Sequence, residues 1–356
     1  MPGRRRRGRW AMVPVSLLLL ATVGVIGYGL TRYSFAYDHN RFNPASLESA
    51  YPTCFYLDWT RDLPDRRAVQ AQLGPDGIFV LPPLEVVRNG KLRHDPLVVI
   101  QGALGIHDRL LRGREPELDA IFRRQLDWLV NDGLVMLPDS VAVWPQYYEF
   151  ERYGLRDRWV SALTQGQAIS LLVRGTAYTG RREYLDLAEH AVRAFTASDL
   201  PIVWHGADGA VFFEEYPCTP SAHVLNGALI AWLGLWDYSR ARDDVAVRSF
   251  CLRTLDSMAA TLPRYEIGDW TRYDVQQMRP TSPHYQEIHA ALAETMAGIF
   301  PADARWRTRA QRWRRAADDP WRRSRVFFLV AWNKATARLS SPGPTRPQGL
   351  LLEEPR

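Results

Sequence analysis

A helix with no charged side chain constrains this chain most. Residues 222–236 contain none before Asp237, so as a helix the segment is apolar nearly all round and has to be buried. Directly before it stands Glu214-Glu215-Tyr216, then a turn punctuated by Pro217 and Pro220. The start of the buried helix therefore carries acids into the protein interior. Residues 96–106 and 160–173 are similarly uncharged, and they alternate with charged amphipathic segments at 115–130, 182–195 and 243–262. Helices wet on one face form an outer layer and helices buried all round an inner one. The expected fold is thus mainly α, an α/α toroid or incomplete barrel of paired helices over 96–339. A plain multi-helix bundle satisfies the same pattern.

Upstream, residues 36–95 read differently. Short apolar runs at 54–59 and 78–81 are separated by Gly74-Pro75-Asp76-Gly77 and Asn89-Gly90, which predicts a small β-rich segment. Before that, 10–30 is an uncharged stretch of 21 residues, long enough as a helix to cross a hydrocarbon core of about 30 Å. Arginines precede it, so the expectation over 1–35 is a cytoplasmic basic stub and a single-pass membrane anchor, with the rest of the chain extracytoplasmic. A cleaved signal peptide ending near Ser34-Phe35-Ala36 gives the same compartment. After Ser340, prolines 342, 344 and 347 predict a flexible tail over 340–356.

Composition excludes some functions. The formal charge is +6, but Arg4, Arg5, Arg6, Arg7, Arg9 and Arg32 supply it, and the remainder has no excess that would point to nucleic acid. Cys54, Cys218 and Cys251 have neither zinc-site nor disulfide-framework spacing, and Asn131-Asp132 is too slight to name a metal. No metal and no cofactor are expected. Trp306, Trp313 and Trp321 recur at about two-turn spacing through an arginine-rich stretch, which reads as core packing beneath a solvated basic face.

Within 159–175, Gln167, Ser170 and Arg174 share one helix face while Ala168, Ile169, Leu171, Leu172 and Val173 cover the rest. Such a stripe faces another helix or a ligand-filled cavity.

A wider pattern now emerges. Trp159, Ser161-Ala162, Gln165-Gly166-Gln167-Ala168-Ile169-Ser170 and Val173-Arg174 precede Glu214-Glu215-Tyr216-Pro217, Pro220-Ser221 and Leu225-Asn226-Gly227. Leu233-Gly234-Leu235, Asp237, Leu262-Pro263, Tyr265, Trp270-Thr271, Tyr273-Asp274, Tyr285 and His289 follow. This ordered set, over about residues 96–315, resembles the C-terminal domain of D-glucuronyl C5-epimerases. The resemblance implies an α/α toroid with an accompanying β portion, acting on a uronic-acid polysaccharide related to heparosan. It implies inversion of D-glucuronate to L-iduronate at C5 without a redox cofactor.

By the same resemblance the catalytic residues are Glu215, Tyr216, Tyr273 and Tyr285, Asn226 contacts substrate, and Trp144-Pro145 lines the cleft. Gln167, Arg174, Arg279 and His289 complete the candidate substrate contacts. Inversion needs a proton taken from one face of the ring and one returned to the other. Glutamate near its usual 4.3 is a weak base and tyrosine near 10 a weak acid, so burial has to bring both toward neutrality. Glu215 and Tyr285 are the expected pair, with Tyr216 and Tyr273 holding the enolate-like intermediate or relaying protons.

Two positions depart from the pattern. Gln276 stands where relatives tend to carry arginine, with Arg272 or Arg279 as substitutes, and Gln286 where histidine commonly follows the Tyr285 position. A polysaccharide lyase and a non-catalytic polysaccharide-binding or assembly protein are the alternatives, and a homodimer stays open.

Overall fold

The computed structural model describes residues 41–47, 53–81, 86–88, 91–113 and 115–337. The expected anchor over 10–30 and the tail after Ser340 lie outside the described residues. Among those described, no helix is long and apolar enough to cross a membrane.

The fold is mainly helical. Four helix pairs follow one another: α1 (Pro96–Arg112) with α2 (Pro116–Val130), α3 (Ala162–Thr179) with α4 (Glu183–Val192), α5 (Leu225–Ala241) with α6 (Val245–Tyr265), and α7 (Pro283–Ile299) with α8 (Ala304–Asp318). A further helix, α9 (Pro320–Ala337), packs on α7 and α8. Within the set, α1, α3, α5 and α7 are neighbours in chain order, and each carries one outer partner. Local signals set their ends. Asp95, Ser161, Asp244, Ser282 and Asp303 cap α1, α3, α6, α7 and α8 through side-chain acceptors, and Gly180 closes α3 with φ 77°.

The helix foreseen over 222–236 begins later, at Leu225, with Val224 as an N-cap that offers no side-chain acceptor. His223 adopts φ 49° and gives its backbone N–H to the Glu214 carboxylate at 3.0 Å, so the chain turns there before the helix can start. From Leu225 onward the expectation holds: α5 is buried through Ser239 apart from Trp236, and α3 is buried from Ala162 to Gly175.

These two inner helices touch backbone to backbone. A Cβ on Gly234 would lie 1.9 Å from the Gly166 carbonyl oxygen, and one on Gly166 would lie 2.4 Å from the Ala231 Cα. Neither obstacle is a side chain that can move aside. Gly234→Ala is expected to destabilise the chain by about 1–3 kcal/mol or more through forced separation of α3 and α5. Urea unfolding measures this, and an unchanged midpoint would show that the helices slide apart without cost.

Residues 53–81 depart from the β-rich expectation. Regular pairing in this part of the chain amounts, among the described residues, to the hairpin β1 (Val86–Arg88) with β2 (Lys91–Arg93) and isolated bridges Phe42–Leu57 and Leu73–Phe79. The run 54–59 is an irregular strap whose Phe55, Tyr56, Leu57 and Trp59 belong to the same core as the helices. Its polar groups are bonded from the helical side. Arg174 donates to the carbonyls of Thr53 and Cys54 at 3.0 and 3.1 Å, and the Tyr56 hydroxyl donates to Asp237 at 2.8 Å. A strand partner is not needed where side chains of α3 and α5 take that role.

Three further two-stranded hairpins join the helices: β3 (Val135–Leu137) with β4 (Val141–Val143), β5 (Val203–His205) with β6 (Val211–Phe213), and β7 (Glu266–Ile267) with β8 (Trp270–Thr271). Cys54, Cys218 and Cys251 are free and buried. Trp306 and Trp313 are core residues with no exposed surface, whereas Trp321 is 86% exposed. The tryptophan spacing therefore marks the buried side of α8 and stops at its end.

Candidate active site

Strand β6 delivers Glu214 and Glu215 to the interior, and the backbone of Glu214 is fixed on both sides. Its N–H donates to Ile202 O at 2.8 Å, and its carbonyl accepts from Ala162 N, the first residue of α3, at 3.0 Å. The two carboxylates then diverge. Glu214 is consumed by His223, whose backbone N–H and Nδ1 each bond one of its oxygens. Glu215 turns toward the first turn of α5, where Asn226 Nδ2 reaches Oε2 at 3.4 Å and the Tyr273 hydroxyl reaches Oε1 at 3.3 Å. A Cβ on residue 227 would sit 2.2 Å from Glu215 Oε2, so only glycine leaves room for this carboxylate.

Burial pushes the Glu215 carboxyl up to about 7. Hydrogen bonds from Tyr216 and Tyr273 and the charge of Arg152 oppose that rise, and the Glu214 charge adds to it. A group titrating there can both take and return a proton near neutral pH. The phenols of Tyr216 and Tyr273 move the other way from use as bases: burial first, then the Glu215 charge, holds both well above 10. They are donors, and their oxygens lie 3.2 Å apart.

Aromatic packing fixes the cluster. Tyr216 stacks on Tyr153 with centroids 4.4 Å apart, and Tyr285 meets Tyr273 edge-on at 4.6 Å. Tyr153 is anchored in turn by its hydroxyl, which donates to Asp274 at 2.8 Å. Arg152 lies over the Tyr273 ring at 5.4 Å.

Glu215, Tyr216, Asn226 and Tyr285 line one cleft of about 470 Å³, which Trp59 of the strap and Gln101 of α1 close from the other side. That volume falls within the range of about 300–1,000 Å³ typical of small-ligand sites. Tyr273 stands behind them, bonded to Glu215 and Tyr216 and packed on Tyr285.

The remaining expected contacts lie elsewhere. Trp144 is fully buried, its indole N–H donating to Leu129 O at 2.8 Å, so it is core. Arg174 is paired with buried Asp237 at 2.5 Å, and the Ser170 hydroxyl donates to the same carboxylate at 2.7 Å. Ser170 and Arg174 of the polar stripe of α3 thus face α5 and the strap rather than a ligand. His289 bonds Thr271 Oγ1 at 2.8 Å, and burial pushes it down to about 3, which leaves it neutral. Arg279 is exposed and contributes its carbonyl, which accepts the Tyr273 N–H at 3.2 Å. Gln167 lies one layer behind the cleft and accepts from Gln101 at 3.3 Å, while its own amide nitrogen has no partner.

Both departures have structural work. Gln276 donates to Pro220 O at 2.6 Å, and Gln286 accepts from Thr271 N and Oγ1 at 2.9 and 2.7 Å. Arg272 holds three backbone carbonyls, those of Arg264, Glu266 and Met278. Sequence reasoning missed Gln101, although it is the one polar side chain in an otherwise apolar stretch of α1, and missed His284 beside Tyr285. The Glu214–His223 pair had no local signal, because it depends on the left-handed turn at His223. Among the described residues, no group of three or more His, Cys, Asp or Glu side chains is placed to hold a metal ion.

A family profile described as D-glucuronyl C5-epimerase C-terminus matches residues 138–315, which include Glu215, Tyr216, Asn226, Tyr273 and Tyr285 but not Trp59 or Gln101. A D-glucuronyl C5-epimerase of Caenorhabditis elegans is 29% identical over 232 residues, 60% of this chain and 37% of that protein. An uncharacterised protein of Methanocaldococcus jannaschii is 30% identical over 152 residues, 41% of this chain and 49% of its own length. The matches therefore span less than half the length of either relative. Among solved structures, an unsaturated glucuronyl hydrolase of Bacillus sp. GL1 aligns over 62% of this chain and 59% of its own at 13% identity. Its TM-score of 0.39 is too low to relate the two folds.

Proposed function

The chain belongs to the D-glucuronyl C5-epimerase C-terminal family, and on that premise we propose that it inverts C5 of D-glucuronate residues in a heparosan-like polysaccharide. The observation that carries this reading is the shared cleft: Glu215 and Tyr285, far apart in sequence, line one cavity, and Tyr273 behind it touches both. The helix pairs serve it as an incomplete α/α toroid, with α1, α3, α5 and α7 as the inner row. The run over 10–30 is read as a single-pass anchor that leaves this domain extracytoplasmic.

In this mechanism one member of the Glu215–Tyr285 pair removes the C5 proton and the other supplies a proton to the opposite face. Removal develops charge on the uronate carboxylate as an enolate. Tyr216, which lines the cleft and is held protonated, is the donor available to that oxygen, with Tyr273 behind it bonded to Glu215, and buried donors of fixed position are worth more than water. Glu215, pushed up to about 7, is a group that can take or return a proton near neutral pH.

Incubating the purified full chain with a glucuronate polymer in heavy water tests the proposal. Deuterium at C5 in intact chains is the expected result, and Tyr285→Phe should suppress it while leaving polymer binding in place. A new ultraviolet-absorbing double bond with chain cleavage would instead assign a lyase, which begins with the same abstraction. Binding with neither outcome would remove the catalytic reading.

A further inference from the structure

Helix α1 gives the cleft Leu97, Val98, Gln101 and Gly102, and of these Gln101 alone has a polar side chain. It lies outside residues 138–315, the stretch matched by the family profile. Against a purely apolar ligand its half-buried amide would be a liability, and leucine would fill the place.

A second glutamine stands behind it. Gln101 Nε2 donates to Gln167 Oε1 at 3.3 Å, and among the described residues this is the bond its amide makes. The carbonyl oxygen and the second N–H of Gln101 therefore remain toward the cleft. Gln167 has no exposed surface, and its own Nε2 has no acceptor. A buried N–H left so costs about 1–3 kcal/mol, and packing alone does not account for glutamine at this position. The oxygen that it presents to Gln101 does.

Asn226 on α5 shows a matching feature. Its Nδ2 is given to Glu215 at 3.4 Å, while its Oδ1 is buried without a partner, and the residue lines the same cleft. Two amide oxygens from different inner helices thus meet the cleft without protein donors, a setting that suits a ligand rich in hydroxyls.

We propose that Gln101, steadied by Gln167, is a substrate-binding residue that takes a hydrogen bond from a free ring hydroxyl of the uronate. This deepens the function proposed above and rests on it. A uronate joined to its neighbours through C1 and C4 has two free ring hydroxyls, on C2 and C3, and C2 lies across the pyranose ring from C5. With C5 between Glu215 and Tyr285, that edge of the ring is directed to the far side of the cleft, which Gln101 closes. Holding it fixes the tilt of the ring and so aligns the C5 hydrogen with the reacting pair.

The test is calorimetry with the full chain, in a Tyr285→Phe background to prevent turnover. It compares a tetrasaccharide of alternating glucuronate and N-acetylglucosamine with two versions whose uronates lack the hydroxyl at C2 or at C3. At least one deoxy ligand is expected to bind about tenfold more weakly than the parent. Adding Gln101→Leu should weaken the parent by about the same factor and abolish its advantage over that deoxy ligand. Adding Gln167→Leu in its place should weaken the parent about threefold with no loss of stability in urea, since its buried N–H has no acceptor to lose. Equal affinity for the parent and both deoxy ligands overturns the proposal without recourse to a Gln101 variant. An advantage that survives Gln101→Leu overturns it as well, by assigning the hydroxyl to another group, and unchanged affinity in Gln167→Leu removes Gln167 from it. Failure of the epimerase reading is separate: a wild type that never incorporates deuterium at C5, while Gln101 still reads the hydroxyl, refutes the reaction and leaves Gln101 in place.

Discussion

Replacing Glu215 by glutamine is expected to slow C5 exchange about a thousandfold while making the folded chain more resistant to unfolding at alkaline pH. The first effect follows from removing the only carboxyl among the described cluster that titrates near neutrality and lies within reach of the tyrosines. Glutamine preserves shape and can still accept from Tyr273, so binding should survive.

The second effect follows from the direction of the shift. In the folded chain the Glu215 carboxyl keeps its proton up to about 7, against 4.5 for an unperturbed glutamate. Below 4.5 both folded and unfolded chains hold the proton, and the group costs nothing. As the pH rises from there to about 7, the unfolded chain ionises first and folding loses stability; above that range the loss is constant. The advantage of Glu215→Gln over wild type should therefore grow by about 3 kcal/mol between pH 4 and pH 8. Urea unfolding at the two pH values reads this, and deuterium incorporation reads the rate. Exchange within tenfold of wild type would remove Glu215 from the chemistry, and a stability difference independent of pH would mean that its carboxyl is not desolvated. Together the two effects describe a residue kept for chemistry against its cost to the fold.

That the acids at 214 and 215 are carried into the interior was legible from sequence, and the surroundings of other residues were not, for a physical reason. A helix without charge must be buried whatever surrounds it, so α3 and α5 and the acids leading into α5 follow from local pattern alone. Periodicity also places Gln167, Ser170 and Arg174 on one face, but it cannot say what that face meets. A buried carboxylate on α5 meets Ser170 and Arg174, and Gln101 of α1 meets Gln167. Trp144 illustrates the same limit, because an indole in a cleft and an indole in a core have the same neighbours in sequence. The run 54–59 was misread for a related reason. A short apolar run between turns satisfies a strand and equally satisfies an irregular strap whose carbonyls are bonded by side chains from distant helices. Gln276 and Gln286 look like losses of function when compared with a pattern, yet each fills a defined place among backbone carbonyls and amides.

Arg174 gives the sharpest separation between a structural and a substrate-binding role. Arg174→Met is expected to cost about 3–5 kcal/mol, because it leaves Asp237 buried and charged with hydroxyl donors but without its cation. The guanidinium and the carboxylate are 1% and 0% exposed, and the same arginine also bonds the Thr53 and Cys54 carbonyls and Ser170 O. Substituting Leu for Asp237 in the Arg174→Met background should recover much of the loss, since apolar replacements of a buried pair are often tolerated. Recovery should stay partial, because the two strap carbonyls remain without their donor. Urea unfolding of the single and double variants forms the cycle. The strap carries Trp59 into the cleft, so loosening it should weaken substrate binding in proportion to the loss of stability, and the double variant should regain both together. If Arg174→Met instead unfolds like wild type while losing affinity for the glucuronate tetrasaccharide, the arginine binds substrate directly and the inner wall of the cleft extends deeper between α3 and α5 than this packing allows.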